Sequence, residues 1–316
     1  MKTIFGNENA RFARGSTAVG LGNFDVMHVG HMALVNTLIS EARINGLDSL
    51  IYTFTKHPEN IIRKKLFTPL LTTVAKRAQL LGETTLDYLY FDEFDENYSR
   101  MKPEDFIRDI LLERLGAGIV AAGFNYRFGY MGQGNVELLR EFGRKYDFRV
   151  TIIPPVRINK MVVSSSAIRS YVAKGDMESA FELLGRHYSL TGEVRDGMKR
   201  GRRIGFPTAN LQPEDYLILP HNGVYITKTL YNGGFYDSLT SVGYNPTFED
   251  TPTINVETHI LDFNDDIYSK NIEVFFLKKL RNEKRFKSAR ELSDQIVYDI
   301  KDAREYFGAN RSLKIY

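Results

Sequence analysis

Two histidines three residues apart, His28 and His31, with Gly30 between them, are the residues of this chain best placed to do chemistry. The segment before them, 17–22 (TAVGLG), is short and apolar, as in a buried strand. The segment after them, from Met32 to Ala42, carries apolar residues at helical spacing. The histidines therefore fall where a strand hands over to a helix N-terminus. Open α/β sheets bind phosphates at that point, because unpaired backbone N–H groups and the helix dipole favour anions. An imidazole at the same mouth can donate to a phosphate as charge builds in the transition state. A lone histidine on a loop is more often a surface or core residue. Here strand, His-x-Gly-His and helix come in order, and that order favours a site.

The elements that hold such a site need a chain of ordinary globular make-up. The 316 residues suffice for two domains, each with its own core. Apolar residues make up 43% and charged residues 26%, a globular rather than a disordered composition. The absence of cysteine excludes disulfides, thiolate zinc sites and a cysteine nucleophile, and it fits a reducing cytoplasm. The first fifteen residues hold no apolar h-region, so no secretory signal is expected, and no stretch reads as a membrane span. The net charge of +3 is too slight to point to nucleic acid.

Residues 1–160 alternate short apolar runs with helical patterns. Strands are expected at 17–22, 49–54, 88–91, 119–123 and 149–153, and helices at 32–44, 73–82, 103–115 and 135–145. That alternation predicts a parallel sheet covered by helices on both faces. Residues 165–184 read as two helices broken at Gly175-Asp176. Beyond Gly185 the texture changes to five strands, 188–194, 223–230, 236–242, 255–261 and 272–277, followed by an amphipathic helix over 288–306. Short strands in series predict a small antiparallel barrel. The expected boundary divides 1–184 from 185–316.

Three further segments fall beside the histidines in this scheme. His57-Pro58 follows the second strand. Gly123 to Gly129 (GFNYRFG) follows an apolar run. Ser164-Ser165-Ser166 opens a helix that carries Arg169. Serines in that position are commonly N-caps. In company with the histidines they also suit phosphate oxygens, and Arg169 suits a leaving pyrophosphate.

A second constellation lies in the barrel half. Residues 197–211 read GMKRGRRIGFPTANL. Gly197, Gly201 and Gly205 give a loop whose backbone can approach phosphates closely, and Lys199, Arg200, Arg202 and Arg203 add positive charge. After Pro207, Thr208 and Asn210 supply a hydroxyl and an amide carbonyl, oxygen ligands suited to Mg²⁺. Glu257 sits on an expected strand, where a carboxylate can take a proton from an attacking hydroxyl.

Together these motifs resemble the prokaryotic bifunctional riboflavin kinase/FAD synthetases over about residues 15–306. The resemblance implies an α/β, Rossmann-like nucleotidylyltransferase domain with a parallel sheet, followed by a small antiparallel β-barrel riboflavin kinase domain with a C-terminal helix. It implies that the barrel phosphorylates riboflavin to FMN with ATP, and that the first domain adenylylates FMN to FAD with release of pyrophosphate. His28, His31 and Arg169 would then act on the adenylyl transfer, with Gly22, Phe24, Asn125, Ser164 and Ser165 holding ATP. In the kinase, Gly197, Lys199, Gly201, Arg202, Gly205 and Pro207 would hold ATP, Thr208 and Asn210 the Mg²⁺, Glu257 would be the base and Arg281 would border the flavin. The implied partners are small molecules, with neither nucleic acid nor membrane, in the cytoplasm. The family pattern has glycine at the position of Val26. A β-branched residue disfavours φ > 0 and adds bulk where the backbone would approach a ligand, which predicts a slower adenylyl transfer or an altered substrate. Two other readings follow: a riboflavin kinase with an impaired adenylyltransferase half, or a flavin-binding regulator without catalysis.

Overall fold

The computed structural model of the 316-residue chain describes residues 1–8, 10–65, 67–196, 201, 204–244, 254–311 and 315. The chain divides into two compact units, Met1–Ser165 and Ser166–Tyr316.

The first unit is a sheet of six parallel strands in the order β1-β4-β3-β2-β5-β6. These are β1 (Lys2–Phe5), β2 (Thr17–Leu21), β3 (Asp48–Phe54), β4 (Tyr88–Asp92), β5 (Ala117–Gly123) and β6 (Arg149–Ile153). All five residues of β2 are buried, as expected of a central parallel strand with both faces covered. Val19, Leu21, Tyr52 and Val120 belong to one core with Ile107, Leu111 and Leu139. Ala18, Ile51 and Ile119 face the other, against Leu34, Val35 and Leu38 of α1 (Val29–Asn45). A Cβ on Gly20 would lie 2.6 Å from Ile51 Cδ1 and 3.0 Å from a methyl of Leu34 or Leu38, so this glycine lets α1 sit against the sheet. The remaining helices are α2 (Pro58–Ile62), α3 (Val74–Gly82), α4 (Glu96–Ser99), α5 (Pro103–Asp105) running into a π-helical stretch at Phe106–Arg114, and α6 (Val136–Tyr146). A small hairpin of β7 (Arg157–Ile158) and β8 (Met161–Val162) precedes the second unit. Strand β1 escapes the sequence pattern because only Ile4 of its four residues is buried.

The second unit opens with α7 (Ser165–Lys174) and α8 (Met177–Leu184), separated by Gly175 in the left-handed region (φ 76°). Six antiparallel strands then close a barrel: β9 (Tyr188–Arg195), β10 (Ala209–Gln212), β11 (Gly223–Tyr231), β12 (Gly234–Tyr244), β13 (Ile254–Ile260) and β14 (Asn271–Arg281). Closure leaves no exposed strand edge. The strand missing from the sequence pattern is β10, four residues long and embedded in the Pro-Thr-Ala-Asn motif. Thr227, Thr229, Ser238, Thr240 and Thr258 are all fully buried and bond to one another, so part of the barrel interior is a closed hydroxyl network. Residues of the opposite parity, Ile226, Leu239, Phe275 and Leu277, pack outward against Ala303 and Phe307 of α9 (Ala289–Ala309). Because α8 packs on β9 and β14, the compact division falls at Ser165/Ser166, ahead of the functional boundary read from the sequence.

His187, between α8 and β9, is 6% exposed, and its ring lies 4.4 Å from that of Phe181. Burial pushes its imidazole from 6.5 down to about 4. Between those values the unfolded chain binds a proton that the folded chain does not. Stability is therefore full above pH 6.5 and falls as the pH drops towards 4, by about 3 kcal/mol once both states are protonated. Urea unfolding of the second unit's signal at pH 7 and pH 4 should show this loss, and His187→Phe should shrink it by that amount.

Candidate active sites

Because all six strands of the first unit are parallel, their C-terminal ends share one edge. The chain order reverses about β2: β3, β4 and β1 lie on one side, β5 and β6 on the other. The crevice at such a switch point is where open α/β sheets bind ligands. His28 and His31 follow β2, Asn125 follows β5 and His57 follows β3. The three neighbouring strands thus deliver these segments to one edge.

His28 is the N-cap of α1, and its Nδ1 accepts a bond from the backbone N of His31 at 3.0 Å. That bond fixes the tautomer: Nδ1 carries the lone pair and Nε2 carries the proton. The two imidazoles stack with centroids 3.7 Å apart and planes 10° apart. A Cβ on Gly30 would meet Cε1 and Nδ1 of His28 at 3.2 Å, so the intervening glycine keeps the ring unhindered. Phe24 is fully buried and lies 5.1 Å from the His31 ring. A Cβ on Gly22 would come within 3.0 Å of the Phe24 ring. Gly22 and Phe24 therefore shape the wall beside the histidines.

The turn between β2 and α1 is strained and clamped. Phe24 (φ 44°) and Met27 (φ 49°) are both left-handed, although neither is glycine. Val26 is fully buried and is not among the positive-φ residues, so its β-branch meets no conformational penalty. The conformational ground for a slowing at this position is thereby removed, while the ground from added bulk beside a bound ligand stands as an expectation. Asp25 accepts the backbone N of Leu71 at 3.0 Å, and the Thr72 hydroxyl bonds the Asp25 carbonyl. Sequence reading missed Arg77 of α3, which is 2% exposed. Its guanidinium donates to the carbonyls of Asn23 (3.4 Å), Phe54 (2.8 Å) and Thr55 (3.1 Å), tying the loop after β2 to the loop after β3. Arg77→Met is expected to destabilise the first unit by at least about 2 kcal/mol. It should also depress adenylyl transfer more than it depresses phosphorylation of riboflavin, as parallel assays of the two steps would measure.

The other predicted residues of this half are placed as follows. His57 caps α2 through Nδ1 to the N of Glu59. Asn125 is exposed in the turn closed by Tyr126 N to Gly123 O. Burial raises the Tyr126 phenol well above its ordinary value, so it stays neutral. Ser164 is half-buried just ahead of α7, Ser165 is the helix's first residue, and Arg169 lies half-buried one turn on. Ser165 closes the first compact unit and Arg169 belongs to the second.

In the barrel, strand register brings two predicted residues directly opposite each other: Asn210 of β10 pairs with Glu257 of β13. Their neighbours Ala209, Leu211, Val256 and Thr258 are buried and point inward, so Asn210 and Glu257 share the outward face. Directly opposite side chains in an antiparallel pair have Cβ atoms about 5 Å apart. Thr208 immediately precedes β10. Its hydroxyl lies 3.5 Å from where a Cβ on Gly201 would stand, so Gly201 backs closely onto the threonine. Gly205 is left-handed (φ 89°) and Pro207 is exposed. His259 bonds the Pro207 carbonyl through Nδ1 at 2.8 Å and meets Phe206 edge-on, fixing the Pro-Thr-Ala-Asn segment on β13. The sequence carried no signal for that anchor. Arg281 does not stand free: its Nε and Nη2 bond both carboxylate oxygens of Asp299 on α9 at 2.8–3.0 Å. Gly197, Lys199 and Arg202 lie outside the described residues.

The architecture is that of a parallel α/β unit followed by a closed antiparallel barrel that presents an asparagine and a carboxylate on one face. Known proteins identify the combination. The family model described as FAD synthetase matches residues 11–167, and that described as riboflavin kinase matches residues 184–307. Relatives called bifunctional riboflavin kinase/FMN adenylyltransferase include one from Listeria monocytogenes, 36% identical over 92% of each chain. Another from Escherichia coli K12 is 33% identical over 98% of this chain and 99% of its own. A solved structure described as a macrolide-efflux protein from Streptococcus pneumoniae matches with TM-score 0.86 and 30% identity, over 96% of this chain and 99% of that one. Among the described residues no helix is long and apolar enough to cross a membrane. The chain belongs to the bifunctional riboflavin kinase/FMN adenylyltransferase family.

Proposed function

We propose that the two outward-facing sites work in series on one flavin. The barrel transfers the γ-phosphoryl of ATP to riboflavin, and the first unit transfers the adenylyl group of a second ATP to the FMN so formed. The observation that carries the kinase half is the register pairing of Asn210 with Glu257 beside Thr208. Glu257 accepts the proton of the riboflavin hydroxyl that attacks phosphorus. Thr208 and Asn210 offer neutral oxygens that fit Mg²⁺, which when bound would neutralise charge on the triphosphate. The glycine loop, with Gly197, Lys199, Gly201, Arg202, Gly205 and Pro207, receives the ATP. Arg281, held flat against Asp299, offers a fixed edge at the flavin end rather than a mobile cation.

In the first unit, Nε2–H of His28 and the stacked His31 donate to the α-phosphate while the FMN phosphate oxygen attacks it. Gly22, Phe24 and Asn125 line the nucleotide, Ser164 and Ser165 bind phosphate oxygens, and Arg169 takes charge on the departing pyrophosphate. The functional division we propose is 1–184 for the adenylyltransferase and 185–316 for the kinase. The partners are small molecules, and the protein works in the cytoplasm. The deciding experiment incubates the purified chain with riboflavin, ATP and Mg²⁺ and separates the flavins. FMN that converts to FAD with pyrophosphate release supports the reading. FMN alone would return the impaired-adenylyltransferase alternative, and no riboflavin-dependent ADP would leave a flavin-binding regulator.

A further inference from the structure

The row of outward residues that carries Asn210 and Glu257 extends to an arginine outside every motif. Arg195, the last residue of β9, pairs with Asn210, which pairs in turn with Glu257. Beyond Glu257 the row runs through Ser241 and Val224 to Arg281. Val194 is 1% exposed and points into the barrel, so Arg195 points outward, on the face of Asn210 and Glu257, and it is exposed. The row thus has a cation at each end, and the two differ in kind. Arg281 is neutralised by Asp299, itself 4% exposed. Arg195 meets no carboxylate or hydrogen-bond acceptor among the described residues. Asn210 stands between Arg195 and Glu257. If Glu257 marks the end where the attacking hydroxyl sits, the phosphoryl donor lies towards Asn210 and Arg195.

We propose that Arg195 is a phosphate-binding residue of the kinase site, gripping the β- and γ-phosphates of ATP from the side opposite Glu257. This rests on the kinase reading of Asn210 and Glu257. A guanidinium presents paired N–H donors matched to phosphate oxygens. In the transfer, the bond between the γ-phosphorus and the β–γ bridging oxygen breaks, and a bond from the riboflavin hydroxyl oxygen to that phosphorus forms. The hydroxyl proton passes to Glu257, and the charge released onto ADP develops beside Arg195.

The test measures riboflavin phosphorylation by the full chain with Arg195→Ala and Arg195→Lys. Loss of a charged phosphate contact should lower kcat/KM for ATP by about 10–100-fold in Arg195→Ala. The KM for riboflavin should hold, Arg195→Lys should recover part of the loss, and added guanidinium should restore part of the Arg195→Ala activity. The unfolding midpoint and FMN adenylylation should stay at wild-type values, because the side chain is exposed and lies in the second unit. Wild-type kcat/KM for ATP in Arg195→Ala overturns the assignment. So does an equal loss for ATP and riboflavin with no response to guanidinium. Glu257→Gln run alongside separates the two failures: if it also leaves phosphorylation intact, the placing of the kinase site at Asn210 and Glu257 falls. If it abolishes phosphorylation while Arg195→Ala does not alter it, the Arg195 assignment alone falls.

Discussion

Glu257→Gln is expected to slow phosphorylation of riboflavin by about 10²–10⁴-fold, the range that a positioned general base supplies. The amide has the size of the carboxylate and can hold a place opposite Asn210 in the β10–β13 register. It cannot accept the proton that leaves the attacking hydroxyl. The loss should fall on kcat, with the KM for ATP little changed, because the carboxylate serves the acceptor rather than the donor. Conversion of supplied FMN to FAD should continue at the wild-type rate, since His28 and His31 lie in the other compact unit. The assay is FMN formation from riboflavin and ATP, beside FAD formation from FMN and ATP. Half-buried glutamates on the outward face of a barrel strand are common, and most do no chemistry. A rate near wild type would return Glu257 to that class and remove the base from the mechanism.

What the sequence made legible was set by how far each feature depends on near neighbours. The β2–His-x-Gly-His–α1 hand-over is local: an apolar run, a cap and a helical stripe fall within one stretch, and the structure reproduces them in place. The barrel was legible as alternation in five strands, but β10 is only four residues long and is occupied by motif residues, so its period-two signal is too short to read. Strand β1 was missed because three of its four residues are not buried. Arg77 and His259 were invisible for another reason. Each acts through backbone carbonyls, Arg77 on Asn23, Phe54 and Thr55, and His259 on Pro207. Contacts 22 to 54 residues apart leave no spacing pattern. Val26 shows the converse. The sequence alone located the departure, but only backbone angles could show that the left-handed positions of this turn are Phe24 and Met27.

The histidine pair is where cap and chemistry must be separated. His28→Ala removes the N-cap bond to His31 and the Nε2–H donor together, so a loss of activity from that variant alone mixes two causes. An N-cap is worth about 1 kcal/mol, and asparagine restores it. His28→Asn is therefore the informative substitution: its side-chain oxygen can accept the His31 N–H while it has no donor where Nε2 stood. Removing one transition-state donor costs about 10²–10³-fold. His28→Asn should keep the unfolding midpoint close to wild type and slow pyrophosphate release from ATP and FMN by that factor. His31→Ala should lose a comparable factor through its own donor and through the stacked ring at 3.7 Å that steadies His28. The double variant should fall well short of the product of the two losses, because the second histidine is positioned by the first. Full additivity would mean the rings act independently and that their stacking does not organise the site. Wild-type adenylylation in His28→Asn would make the cap the whole contribution of His28, and would move the search for the α-phosphate donor to His31 and Arg169.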